Sequence, residues 1–282
     1  MQSAVRGTRG DAPWVAVGGW PVVVTDPSGA RTEFPTTGRR RRFWVRRLVV
    51  GTALLGLLVV TAGAITLVLT PSVDDAERRV QSAALAQGST DRDEPVPPRF
   101  AMALVATEDS RFYSHHGVDT LGVLRATTGV LQQQENGGST LDQQLAKLLY
   151  RGSNPAALAK VEEVALGVKI DATYPKAQIL EMYAQAAYFG HGFYGLHDAA
   201  CGYFNVVPAQ LSWTQASTLA GLVQAPSSYD PIAHPELARQ RQRHVLDRLV
   251  AVGDLTQDDT ATILTQPLGL NPGGPPAPGC AA

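Results

Sequence analysis

Leu48 to Thr70, LVVGTALLGLLVVTAGAITLVLT, is a run of 23 residues without a single charge. At about 1.5 Å per helical residue it reaches roughly 34 Å, enough to cross a hydrocarbon core of about 30 Å. It carries no polar stripe of the kind that marks the outer face of a core helix. Arg39, Arg40, Arg41, Arg42, Arg46 and Arg47 stand just before it, and Pro71, Asp74 and Asp75 just after it. Arginines mark the cytoplasmic flank of a span, so the pattern predicts an inner amino terminus and places residues 71–282 outside. Phe43 and Trp44 suit the membrane interface. A cleaved signal peptide would have an apolar region of only about 7–15 residues, close to the start. Some forty residues precede this longer run, which therefore reads as a retained anchor.

Charge divides along the same line. Residues 1–70 hold nine Lys or Arg against three Asp or Glu, and the remainder hold fifteen against twenty-two. The overall net charge of −1 excludes a general nucleic-acid binder. Two cysteines, Cys201 and Cys280, exclude a disulfide-built scaffold and a clustered-cysteine zinc site. Residues 1–47 are expected to be a mostly disordered cytoplasmic tail with one strand-like run, Trp20 to Thr25. Residues 48–70 are the anchor and 71–98 a charged stalk. Residues 253–282 are an extension ending in a flexible tail, NPGGPPAPGCAA.

Between them, residues 99–252 read as an all-α domain. Apolar residues recur at helical spacing over Arg99–Glu108, Ser139–Tyr150, Ala156–Ile170, Lys176–Tyr188, Thr214–Val223 and Glu236–Val252. Ser139-Thr140 can cap the second of these, with Gln143 three residues after Thr140 as in a capping box.

Three segments are too polar for this context. In ATEDSRFYSHHG, Glu108 ends a helix of small apolar residues, where partial desolvation would lift its pKa toward the range of a general base. The ordinary alternative is a helix-end acid leading into a loop. His115 and His116 are adjacent and do not face one metal site. In GGSTLDQQLAK, the residues Thr140, Gln144, Lys147 and Arg151 form one stripe beneath a helix amino terminus, a plausible wall for phosphate or else a solvated face. In KVEE, Lys160 and Glu163 are either an exposed i, i+3 pair or the second acidic wall of a cleft facing Glu108.

Taken in order, these segments resemble the peptidoglycan glycosyltransferases of family 51, over about residues 95–250. ATEDSRFYSHHG is similar to the family's E-D-x-x-F-x-x-H-x-G block and GGSTLDQQLAK to its G-G-S-T-x-x-Q-Q-x-x-K block. KVEE, ILEMYAQAAYFG with YGLHDAACGYF, and LAGLVQAPSSYDP with the later Arg239 and Arg243 resemble the rest. The resemblance implies a lysozyme-like helical fold and polymerisation of lipid II, with release of undecaprenyl diphosphate. It implies Glu108 as the base and Glu163 as the second acidic residue, assisting the leaving diphosphate through water or a divalent cation, Mg²⁺ or Mn²⁺. Lys147 and Lys160 would neutralise the diphosphate. Asp109, Phe112, His115, Ser139, Thr140 and Gln144 would shape the pocket and hold substrate. No organic cofactor is implied. The partners are lipid II, the growing glycan strand and membrane lipid, with separate transpeptidases or other wall-synthesis proteins beside them.

The chain departs from the family pattern at several positions. Ala159 replaces a usual Arg, Leu148 a usual Asn, and Ala184-Gln185 a usual Leu-Asn. Asp142 replaces a usual Thr and is expected to add negative charge beside the phosphate wall. No Ser-x-x-Lys motif occurs, so polymerisation without cross-linking is expected. Two other readings stand beside an active polymerase: a degenerate homologue that binds lipid II or acts as a scaffold, and a lysozyme-like wall hydrolase.

Overall fold

The computed structural model describes residues 37–89, 94–122, 138–150, 156–271, 273–275 and 277–280. The strand-like run Trp20 to Thr25 and Arg151 lie outside them. The described residues form helices α1 (Thr37–Leu69), α2 (Ala76–Ala86), α3 (Pro98–Glu108), α4 (Leu141–Tyr150), α5 (Ala156–Thr173) and α6 (Lys176–Ala186). They continue with α7 (Leu196–Phe204), α8 (Trp213–Leu222), α9 (Pro235–Val252) and α10 (Gln257–Thr265). No strand occurs among them, only an isolated antiparallel bridge between Tyr188 and Tyr194. The domain is all-α, as the periodicity predicts.

By internal contacts the chain divides into residues 1–58 and 59–282. Helix α1 starts in the first unit and ends in the second. Phe43 to Leu69 is long and apolar enough to cross a membrane, and its side chains are not buried by protein. At its start Phe43 meets Trp44 edge-on, and the Arg47 guanidinium lies 4.2 Å from the Phe43 ring centre.

In the second unit one continuous core joins the helices. Helix α3 begins at Pro98, where the missing N–H is not needed. It buries Phe100, Ala103, Leu104 and Ala106 against α8 and α9. Helix α4 buries Leu141 and Leu145 against α5 and α6. Helix α9 turns Ala238, Arg241, Gln242, Val245, Leu246 and Leu249 inward, an i, i+3, i+4 pattern containing one buried cation.

Two regions differ from their expected character. The charged stalk folds in part as α2. Val73, Ala76 and Val80 pack into the core, and Ala84 is buried on the same face. Lys169 donates to the carbonyls of Thr70 (2.7 Å) and Pro71 (3.0 Å), and Tyr174 donates to that of Val73 (2.9 Å). The carboxyl-terminal segment is tied down as well. Cys280 is disulfide-bonded to Cys201 on α7, and Asn205 bonds both Pro275 O (2.8 Å) and Ala277 N (2.7 Å). The bridge closes a sequence separation of 79 residues. A loop of that size is worth about 4 kcal/mol by chain entropy. An even cysteine count in a region that the arginine pattern predicts to lie outside is the sequence signal for this pairing.

Candidate active site

The site is built where α3 ends. Glu108 is the last residue of α3, and its side chain is only 12% exposed. Gln144, one turn into α4, donates from Nε2 to Glu108 Oε2 at 3.2 Å. The orientation of that amide is fixed from behind, because the buried Tyr183 hydroxyl donates to Gln144 Oε1 at 3.0 Å. The other carboxylate oxygen, Oε1, accepts from Arg241 of α9 at 3.2 Å. Burial raises the Glu108 pKa above the ordinary glutamate value; Gln144 and Arg241 pull it back, and neighbouring Asp109 adds to the rise. Glu108 is therefore a carboxylate poised to take up a proton, and not a surface acid.

Glu108 faces a cleft of about 460 Å³ that is also lined by Ser139, Gln143, Gln144, Lys147, Glu163 and Tyr188. Gln224 and Pro226 form part of another wall. Two carboxylates and a lysine from α3, α5 and α4 thus meet in one concave surface. Lys160 bonds Ser139 Oγ (2.7 Å), Gln143 Oε1 (3.1 Å) and Glu163 Oε2 (3.4 Å), tying the cap of α4 to α5 beside the second carboxylate. Exposed Leu148 borders the same cleft.

The other expected pocket residues lie behind this surface. Asp109 and His115 are buried, and the two Asp109 oxygens lie 2.9 and 3.0 Å from His115 Nε2. A carboxylate only accepts, so Nε2 carries the proton. Asp109 Oδ2 also accepts the first N–H of α4, from Leu141, at 3.0 Å. Phe112 is fully buried. Thr140 turns its hydroxyl to the Gly117 carbonyl (2.8 Å) and accepts from Gln143 N (3.3 Å), the cap expected from sequence. The Gln143 side chain goes to Gly117 O instead of closing a capping box. Gly117 has φ +72, and a Cβ there would lie 2.6 Å from Val168 Cα, so only glycine fits. Asp109, Phe112, His115 and Thr140 therefore position α4 and the Glu108 turn and do not line the cleft. Thr140 is not on one stripe with Gln144 and Lys147.

Asp142 corrects the expectation of charge beside the phosphate wall. It is fully buried on the opposite side of α4. Lys176 donates to both its oxygens at 3.0 and 3.1 Å, and bridges Asp171 at 2.6 Å. The Lys176 ammonium also sits 4.4 Å from the Phe112 ring centre. The carboxylate thus falls where a half-buried cation receives it.

Asp109, His115 and Asp142 bring three ligand-type groups together. The two carboxylates lie against different nitrogens of one imidazole, with Nδ1 3.9 Å from Asp142, and Lys176 already supplies positive charge there. This arrangement suits a structural network better than a metal.

Arg241 was missed by the sequence reading, which named Arg239 and Arg243. Arg239 binds Gln242 and the Gln266 carbonyl, and Arg243 is exposed. The signal was present: Arg241 falls in register with the apolar positions Ala238, Val245 and Leu249.

A family model described as Transglycosylase matches residues 79–250. Among curated relatives, a Cupriavidus necator protein named "Putative transglycosylase" is 38% identical over 176 residues, covering 62% of this chain and 76% of that protein. Penicillin-binding protein 1F of Bacillus subtilis is 35% identical over 189 residues, covering 64% of this chain and 26% of that one. Penicillin-binding protein 1A of Escherichia coli is 36% identical over 178 residues, covering 62% and 21%. The chain thus spans three quarters of the first and about a quarter or less of the other two.

Proposed function

The chain belongs to the transglycosylase family, and from that premise we propose that it polymerises lipid II into glycan strands in bacterial wall synthesis. The observation that carries the proposal is the convergence of Glu108, Glu163 and Lys147 on one cleft, with Glu108 desolvated and held on both oxygens.

The chemistry follows from those positions. Glu108 accepts the proton of the acceptor sugar's 4-hydroxyl as that oxygen attacks the anomeric carbon of the donor. The bond from that carbon to the diphosphate oxygen breaks, and undecaprenyl diphosphate leaves with inversion. Lys147 and Lys160 stabilise the charge that develops on the leaving group. Glu163 is one carboxylate open to the cleft, and a magnesium-like ion is often held by one or two carboxylates plus substrate phosphates. Glu163 would hold such a cation, which would supply Lewis-acid neutralisation of the diphosphate.

Lys147 is exposed in the cleft, and among the described residues no carboxylate pairs with it. Lys147→Ala should weaken binding of lipid II, or of a phosphoglycolipid inhibitor such as moenomycin, at least tenfold. Charge-assisted contacts of this kind are worth about 1.5–3 kcal/mol. A titration giving wild-type affinity in a folded variant would remove Lys147 from the diphosphate subsite.

The proposal includes topology: a single-pass anchor with residues 1–47 inside and the domain outside. The arginines before Leu48 support it, and so does the Cys201–Cys280 disulfide, which belongs to an oxidising compartment. A reporter active only outside the membrane should work when fused after residue 270 and fail when fused at residue 30. The reverse pattern would overturn the assignment. We further propose that the chain makes strand without cross-linking it, leaving that to separate transpeptidases. No Ser-x-x-Lys nucleophile occurs in its sequence.

Ala159 in place of the family's usual Arg favours a second reading, a homologue that binds lipid II without turning it over. A hydrolase reading is separated by substrate. Incubation with purified lipid II should give polymer, and incubation with purified sacculi should release no muropeptides. Muropeptide release without polymer would reverse the assignment.

A further inference from the structure

The buried arginine of α9 has no part in the chemistry set out above. Its Nε donates to the Gly221 carbonyl at 3.2 Å, and a terminal nitrogen donates to Glu108 Oε1 at 3.2 Å. Both side chains are nearly closed to solvent, Arg241 at 7% and Glu108 at 12%. Arg241 is buried and is not among the residues that line the cleft. The fold makes room for it at one place on α8: a Cβ at Gly221 would lie 2.9 Å from Arg241 Cγ. The Tyr229 ring flanks the guanidinium at 5.8 Å. One end of Arg241 is thus fixed on backbone and the other on the reacting carboxylate.

We infer that Arg241 is the positioning residue of Glu108, holding its carboxylate charged and in one orientation toward the cleft while touching no substrate itself. The inference rests on the reading of Glu108 as the base. The groups facing Glu108 are Gln144 and Lys147 from α4, Tyr183 from α6, Arg241 from α9, Glu163 across the cleft and Asp109 on its own turn. Gln144 supplies a neutral dipole, Asp109 repels, and Lys147 is exposed. Arg241 is the buried full positive charge in contact with the carboxylate. Its guanidinium fork reaches both the Gly221 carbonyl and Glu108, which the single ammonium of a lysine cannot do in the same way.

The sign of the effect is fixed. Without Arg241 the burial cost acts on Glu108 with only Gln144 against it, so the carboxyl protonates at higher pH. A base must be ionised, so the acid limb of polymerisation against pH moves upward. An opposite charge at this range is worth about one to three pH units. Arg241→Met should shift the acid limb up by about one unit or more, with rates converging on wild type at high pH. Arg241→Lys should restore part of the shift. A merely structural arginine would lower the rate by the same factor at every pH.

The test uses the full chain in detergent with ¹³C-carboxyl-labelled glutamate, the Glu108 signal being the one absent from Glu108→Gln. The midpoint of that signal should rise in Arg241→Met and fall part of the way back in Arg241→Lys. If Arg241→Met does not fold, Gly221→Ala, which displaces the arginine stem, should also raise the midpoint. A midpoint unmoved in the folded variants would overturn the inference. So would an unshifted acid limb in an active Arg241→Met. If wild type makes no polymer, the proposed function fails, while the carboxyl titration still decides the role of Arg241.

Discussion

Lys176→Met should destabilise the helical domain by about 3–5 kcal/mol at neutral pH, the range for breaking a buried ion pair by removing one partner. Asp142 is fully buried and Lys176 donates to both its oxygens, so removing the ammonium strands a desolvated carboxylate. Nearby Asp171 would lose its 2.6 Å contact with the same ammonium. The pH dependence separates this cause from simple loss of packing. Burial raises the Asp142 pKa, and Lys176 is the first group acting to lower it. Without Lys176 the folded-state value rises further above that of the unfolded chain. A carboxyl with a raised folded pKa binds its proton more tightly in the native state, so stability falls as pH rises through the window between the two values. The deficit of Lys176→Met against wild type should therefore be fullest above the raised folded value and shrink as pH falls toward the unfolded one. Denaturant melts at several pH values measure it, and a deficit independent of pH would show that the stranded carboxylate is not its source. Asp142→Thr, which removes the buried charge and leaves Lys176 its Asp171 partner, should cost much less.

The same network shows what could be read from residues alone. Helices α3, α4, α6, α8 and α9 were legible to within about two residues, because Leu, Ile, Val and Met repeat along them with helical period. Helices α2, α7 and α10 were not. The inward face of α2 is Ala76, Val80 and Ala84, too small to stand out from a charged sequence. Helices α7 and α10 are nine residues each, and α10 is mostly polar, so neither offers enough turns for a period to show. At the site, sequence order suggested which residues belong together but not which side of a helix each would face. Glu108, Glu163, Lys147 and Gln144 converge on the cleft, whereas Asp109, His115 and Thr140 point into the protein. Asp142 is harmless to the cleft only because α6 brings Lys176 behind it, a tertiary fact that no local spacing carries.

Glu108→Gln tests the proposed role of Glu108 as the base of glycan polymerisation with the smallest change in shape. The glutamine can still accept from Arg241 through its carbonyl oxygen, and it removes a buried charge without opening a cavity. It cannot take up the acceptor's proton. Positioned general-base catalysis is worth about 10² to 10⁴ in rate. The measurement is the initial rate of polymer formation from purified lipid II by wild type and Glu108→Gln, with affinity for moenomycin measured in parallel. The expected result is polymer from wild type, at least a hundredfold less from a folded Glu108→Gln, and inhibitor binding within a few fold of wild type. A folded Glu108→Gln that polymerises within a few fold of wild type would contradict the assignment of the base. A wild type that binds the inhibitor and makes no polymer at any pH, with or without Mg²⁺ or Mn²⁺, would contradict the proposed activity itself.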